Sequence, residues 1–205
     1  MAITKISKRK RNIRRRNPVQ VAVPTNTYRY NECKKFDTYV QGSTDYNGTI
    51  SLVDLPVQGT GSTNRVGNQI TIRKLELAGT ISTQGAGTYD TIRIMFVLDN
   101  MGVNAPAIGE ILDATVLGSS AAVIALRNHG YVPRFKVLHD KLHVVSTGGG
   151  QQVCWKTTLK TNIISYFVGA STFKNQIYLI AISNEGNLLT APLLYTSIRV
   201  HFTDD

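Results

Sequence analysis

The sequence holds only two cysteines, Cys33 and Cys154, far apart and without a Cys-x-x-Cys spacing. That pattern argues against a disulfide framework and a cysteine-ligated zinc, and both read as reduced, partly buried thiols. Long apolar runs are also missing. The longest, such as Ile177 to Ile182, fall far short of the roughly 20 residues of a membrane span and suit buried strands. The basic start is not followed by a signal-peptide core, because residues 17–27 are polar and contain Pro18 and Pro24. The protein is therefore expected to be made and used inside a cell. Acidic residues are absent from the first sixteen positions, where Lys5, Lys8, Arg9, Lys10, Arg11, Arg14, Arg15 and Arg16 stand. The net charge of +10 comes mostly from there: the rest of the chain has 15 basic against all 13 acidic side chains, a balance of +2. Basicity is a property of a tail.

Residues 1–30 read as a disordered basic arm, since dense like charge repels itself and no periodic apolar face follows. Two functions fit it and do not exclude each other. Lys8-Arg9-Lys10-Arg11 and Arg14-Arg15-Arg16 have the form of a nuclear localisation signal. The eight cations also suit an arm that neutralises phosphates without reading base sequence.

Residues 31–205 read as one all-β domain, long enough at 42% hydrophobic content to bury a sizeable core. The stretch from Asn64 to Asn100 predicts a long β-hairpin with a glycine-containing loop at 84–88. Within its first arm the apolar parity changes from Ile70 and Ile72 to Leu75, Leu77 and Ile81, which predicts a bulge or a strong twist near Arg73-Lys74. Its second arm alternates Ile92, Ile94, Phe96 and Leu98 against Thr91, Arg93, Met95 and Val97, one face firmly inside and the other half apolar. Further strands are expected over 34–40, 48–55, 134–145, 153–159, 176–182 and 193–202. Segments 108–112 and 121–127 have helical spacing but are short, and read as single turns in a long connection. About eight strands with almost no helix predict a single eight-stranded antiparallel jelly roll, two packed sheets behind a disordered basic N-terminal arm.

The search for chemistry is mostly negative. His139 and His143, four apart on a strand, share one face but lack a third metal ligand nearby, and Asp140 points the other way. Gln58-Gly59-Thr60-Gly61-Ser62-Thr63 lacks the Gly-Lys-Ser/Thr ending and the helix of a phosphate loop. No Gly-x-Ser-x-Gly elbow is present, and Cys154 has no histidine partner in a motif. Asp45, Asp54, Asp99, Asp113, Asp204 and Asp205 are assigned to solvated loops in preference to a calcium site. No catalytic residue, metal or cofactor is expected, and the protein is not expected to be an enzyme. Tyr28, Tyr30 and Phe36 are candidates for base stacking, with core or interface packing the favoured role for Phe36. Trp155 reads as core or subunit contact. Arg65 and Arg73 have two open placements, on an inner surface or paired with acids.

Taken in order, the basic arm, Lys34-Lys35-Phe36-Asp37, Gln58-Gly59, Arg65-Val66-Gly67, Ile70-Thr71-Ile72, Gly79, Asp90-Thr91-Ile92-Arg93, Val97-Leu98-Asp99, Ile111-Leu112 and the run from Arg134 to Asp140 carry a resemblance. The chain resembles the capsid proteins of small circular, replication-initiator-encoding single-stranded DNA (CRESS-DNA, circovirus-like) viruses, and more distantly the coats of satellite RNA viruses. Its arm is shorter and less arginine-dense than circovirus arms. The resemblance implies a coat protein that self-assembles into a small icosahedral shell, T=1 with about sixty copies, with the arm inside. It implies packaging of single-stranded DNA through Lys5, Lys8, Arg9, Lys10, Arg11, Arg14, Arg15 and Arg16, with residence in the virion and host nucleus and nuclear import receptors as further partners. The alternatives are the coat of a small or satellite single-stranded RNA virus, or a non-viral nucleic-acid-binding β-barrel protein with a basic tail. The last would be expected to carry basic and aromatic residues on its folded domain, against which the +2 balance counts.

Overall fold

The computed structural model describes residues 32–84, 89–102, 104–146, 152–168 and 171–204, the last range without the side chains of 171–173. The expected arm over residues 1–30 lies outside them, as do the glycine run at 148–150 and the loop expected after Gln84. Asn31–Asp205 is a compact unit of its own.

Among the described residues it has nine strands: β1 (Lys34–Ser43), β2 (Thr49–Leu52), β3 (Gln69–Ser82), β4 (Tyr89–Asp99), β5 (Phe135–Ser146), β6 (Gln152–Val168), β7 (Ser171–Lys174), β8 (Gln176–Ser183) and β9 (Leu193–Asp204). They make a five-stranded sheet in the order β1-β9-β3-β6-β7 and a four-stranded sheet in the order β2-β8-β4-β5. Every pairing between these strands is antiparallel. The chain crosses between sheets at most of its links. With the short β7 set aside as an edge addition to β6, eight strands in this order are a jelly roll, as the patterning predicts.

The expected hairpin is a correction. β3 pairs with β6 and β9, whereas β4 pairs with β5 and β8 in the other sheet. The two arms therefore face each other across the core and share no ladder. Two apolar strands joined by a glycine-containing loop look alike whether the loop turns within a sheet or steps between sheets; only the remaining strands decide. The bulge does occur where the parity changes. Both ladders of β3 shift register between Ile72 and Lys74: against β9 Arg73 is the extra residue, and on β6 Thr161 and Asn162 stand opposite it. That shift is what lets Ile70, Ile72, Leu75, Leu77 and Ile81 all point inward and be fully buried. Each such side chain contributes about 2 kcal/mol of burial.

The core lies between the sheets. Ile92, Ile94, Phe96 and Leu98 of β4 meet Ile198, Val200 and Phe202 of β9 and the inward face of β3 there. The half-apolar second face of β4 is explained by a third layer. Met95 and Val97, with Ile180 and Ile182 of β8, pack against Ile111, Leu112, Ala122 and Val123 of the long connection between β4 and β5. That connection holds one helical turn, α1 (Ile108–Ile111), and three 3₁₀ turns. Two arginines fasten it. Arg134 donates to Asp99 (2.9 Å), Glu110 (3.3 Å) and the Asn104 carbonyl (2.6 Å), and Arg93 forks onto Asp140 (2.8 and 2.7 Å) while donating to the Ala125 carbonyl (2.5 Å).

Two glycines are required by geometry. Gly48, at φ +76°, closes the turn expected at Asp45-Tyr46-Asn47-Gly48, where Asp45 accepts from the amides of Asn47 and Gly48. At Gly79 a Cβ would lie 2.5 Å from the Tyr195 carbonyl and 2.8 Å from the Trp155 indole, which lies over this backbone.

Candidate nucleic-acid interface

The eight arm cations, Lys5 to Arg16, together with Tyr28 and Tyr30, lie outside the described residues. Within the folded unit the other residues singled out in the sequence can be placed. Phe36 is half-buried and packs against the core, and Trp155 is buried in it. Cys33 and Cys154 are free thiols, but both are exposed, which corrects the partly buried expectation: on β6, Cys154 alternates with the buried Trp155 and so faces out.

Arg65 is fully buried, its guanidinium 4.0 Å over the Phe167 ring, and it donates to the Gly67 carbonyl. Burial lowers its pKa, opposed by the charge of Asp204. It is a packing element and lines no open surface. Arg73 is exposed at the bulge and donates to Asn162 (2.5 Å).

His139 and His143 do share a face, and they use it to pack on Trp155. The His139 ring stacks on the indole at 6.3 Å, and His143 lies tilted at 5.9 Å. Burial pushes both imidazoles below their ordinary pKa, and Lys141 adds to the effect. Asp140 points away, as expected, onto Arg93. Among the described residues no three His, Cys, Asp or Glu side chains converge as a metal group would. The assignment of the aspartates to solvated loops is corrected for three of them: Asp99 and Asp204 end β4 and β9, and Asp45 and Asp99 are buried, each held by local hydrogen bonds that meet the cost of burial. Asp45 and Asp113 accept from nearby backbone amides, Asp99 holds Arg134, and Asp204 takes Lys34 (2.7 Å) and the Val66 amide (3.2 Å).

One broad feature remains, which no single stretch of sequence displays. The outer face of the four-stranded sheet is covered by the β4–β5 connection, but among the described residues nothing covers the outer face of the five-stranded sheet. The strand registers set its outward side chains in rows. Lys35, His201, Lys74 and Lys160 stand abreast on β1, β9, β3 and β6, and Asp37, Arg199, Glu76 and Thr158 form the next row. Neighbouring strands are about 4.8 Å apart, so the first row spans about 14 Å. Beyond these come Tyr39, Ser197, Ala78 and Lys156, then Gln41, Tyr195, Thr80 and Cys154.

Some of this charge is internally matched. Arg199 forks onto Asp37 (2.7 and 2.8 Å), and Glu76 takes Lys74 (2.5 Å) and lies 3.4 Å from His201. Among the described residues Lys35, Lys156 and Lys160 have no acidic partner within ion-pair distance. Over β1, β9, β3 and β6, with Arg73 counted, the face carries six basic and two acidic side chains, a balance of +4. Residues 31–205 as a whole hold 14 basic and 13 acidic, a balance of +1. The rest of the unit is therefore net negative, and the positive charge is concentrated on the uncovered sheet.

The same face carries exposed aromatics, among them Tyr39 at 73% and Tyr195 at 45% relative exposure. These two are diagonal neighbours on adjacent strands, and they flank a shallow concavity of about 410 Å³ floored by the small side chains of Ala78, Thr80 and Ser197. A larger concavity of about 900 Å³ opens where β5 and β6 part; Lys136, Lys160 and Lys174 line it, and no acidic residue does.

No protein-family model matches the chain, and no curated protein matches it. Among solved structures it is similar to a chain of Desmodium yellow mottle tymovirus, at 11% identity and a TM-score of 0.34, over 83% of this chain and 88% of that one. A likeness this slight supports no conclusion about function, which has to be reasoned from the residues themselves.

Proposed function

We propose that the protein is a viral coat protein, a structural and non-enzymatic component that assembles into a closed shell around nucleic acid. The observation that carries this reading is the pairing of a jelly roll with a segregated arm: eight cations and no acid in sixteen residues, joined to a unit of near-neutral charge. Such an arm suits phosphate neutralisation, with arginine favoured wherever a bidentate contact forms. The jelly roll supplies long loops for contacts between copies, and repeated heterologous contacts that close on themselves generate a shell.

In its full form the proposal is a T=1 icosahedral particle of about sixty copies, with residues 1–30 as the arm and 31–205 as the shell domain. Lys5, Lys8, Arg9, Lys10, Arg11, Arg14, Arg15 and Arg16 bind a single-stranded DNA genome. With about sixty arms, about 480 positive charges are available to it. The clusters Lys8–Arg11 and Arg14–Arg16 double as a nuclear import signal, which places the chain in the host nucleus as well as the virion. DNA is favoured over RNA by that signal and by the resemblance to circovirus-like coats.

The test is the nucleic acid that the expressed protein protects from nuclease, compared between the native chain and one with all eight arm cations changed to glutamine. Protection lost on neutralisation supports the packaging role, and equal protection by both proteins contradicts it. A second reading, a non-viral single-strand-binding protein, is favoured by the basic and tyrosine-bearing sheet face. It is set apart by the absence of closed particles.

A further inference from the structure

We infer that the uncovered face of the five-stranded sheet is itself a binding surface for single-stranded nucleic acid, with Tyr39 and Tyr195 stacking bases and Lys35, Lys156 and Lys160 contacting phosphates. The inference rests on the coat reading only for the identity of the natural ligand.

Three independent observations lead to it. The first is charge complementarity: a face at +4 on a unit at +1 attracts a polyanion, and its unmatched ammonium groups sit on two different rows and two strands. The second is the aromatic pair. A large aromatic side chain exposed on an open sheet forgoes about 1.5–3 kcal/mol of burial, and two of them on diagonally adjacent positions offer flat surfaces to neighbouring bases. The third is the concavity between them. Ala78, Thr80 and Ser197 are small, so the tyrosines stand above the floor and leave room for a base to slide in edge-on.

The chemistry specifies the ligand class. Every base has a π-face, so stacking on tyrosine tolerates any sequence, and the lysines read only phosphate. A duplex hides its base faces inside its own stack and could engage the lysines alone. Single strands are therefore preferred over duplex of the same composition. The face adds a stacking component to that of Tyr28 and Tyr30, and one that the cationic stretch of the first sixteen residues, which holds no aromatic, does not supply.

The experiment uses the full-length chain with the eight arm cations changed to glutamine, so that the arm does not mask the sheet. Its affinity for fluorescein-labelled oligodeoxythymidine is followed by anisotropy across salt concentration. Two further variants are built on it, Tyr39→Ala with Tyr195→Ala, and Lys35→Gln with Lys156→Gln and Lys160→Gln. Circular dichroism and Trp155 emission check their folding, and all five positions are exposed. The arm-neutral protein is expected to retain measurable, salt-dependent binding. The tyrosine pair is expected to weaken it about tenfold or more. The lysine triple should flatten the slope of log affinity against log salt by about 2, at about 0.7 per phosphate contact.

A second readout is independent of variant stability: photo-crosslinking of an iodouracil-bearing oligonucleotide to the native chain is expected to label Tyr39 or Tyr195. Labels confined to residues 1–30, together with face variants that bind like their parent, overturn this inference and leave the coat reading standing. Face variants that bind normally but no longer form particles also overturn it, making the face a contact between copies. A native chain that binds no oligonucleotide at all defeats the coat reading as well.

Discussion

Arg134 is the residue whose loss the structure marks as most costly outside the central core. Its guanidinium donates to Asp99, Glu110 and the Asn104 carbonyl and lies 4.6 Å over the Phe135 ring. The Asp99 side chain is fully buried, and that of Arg134 is only 15% exposed. Asp99 also caps the turn after β4 by accepting from the amides of Met101 and Gly102. Arg134→Met keeps the aliphatic stem and removes the charge, which leaves a buried carboxylate without its cation. Breaking a buried pair on one side costs about 3–5 kcal/mol. For a chain of this size each kcal/mol moves Tm by about 2–4 °C, so the melting point should fall by about 6 °C at least. Asp99→Asn alone should cost less, because the amide keeps an acceptor for the turn. The double variant should be more stable than the sum of the single losses by more than 1 kcal/mol, the signature of coupled neighbours. Urea unfolding followed by the emission of Trp155, the single tryptophan, reads all three. If the two changes simply add, the pair does not fasten the β4–β5 connection in the way described.

Gly79→Ala should destabilise by about 1–3 kcal/mol through overpacking, because the new methyl meets the Tyr195 carbonyl and the Trp155 indole; differential scanning calorimetry would reveal an unaffected Tm if that account were wrong. His139 and His143 are held below their ordinary pKa by burial, so the unfolded chain binds protons more readily than the folded one near neutrality. Stability is accordingly full above about pH 6.5, the unfolded value, and falls as pH drops below it towards the lower folded values. A chain with both histidines changed to phenylalanine should lose much of that slope, and a slope unchanged by the substitution contradicts the assignment. Cys33 and Cys154 are exposed, so both should react with a thiol reagent in the native protein at rates near those of the unfolded chain. One protected thiol would place that strand edge differently.

Some of this molecule is written locally and some is not. The parity change at Arg73 predicts the bulge because a buried face admits no other way for Ile72 and Leu75 both to point inward. The alternation in β4 also predicts its two apolar faces, and the third layer beneath Met95 and Val97 gives the reason. The hairpin expectation fails because pairing partners lie far along the chain: Leu77 meets Ile198 on one side and Thr157 on the other. Arg65 looks like a surface cation in sequence, and only the approach of Phe167 shows how its plane is accommodated inside. The basic sheet face is invisible for the same reason. Lys35, Lys74 and Lys160 come from three separate stretches, and the overall balance of the domain conceals them. Every-other-residue cations on amphipathic strands were the available signal, and register was needed to align them.

The most direct test of the coat assignment is negative-stain electron microscopy of the protein expressed alone and purified at low and at moderate salt. Uniform closed particles of one diameter are predicted, with about sixty copies each by mass. A monodisperse monomer or small oligomer under every condition would contradict the coat reading and leave a basic-tailed, single-strand-binding protein in its place.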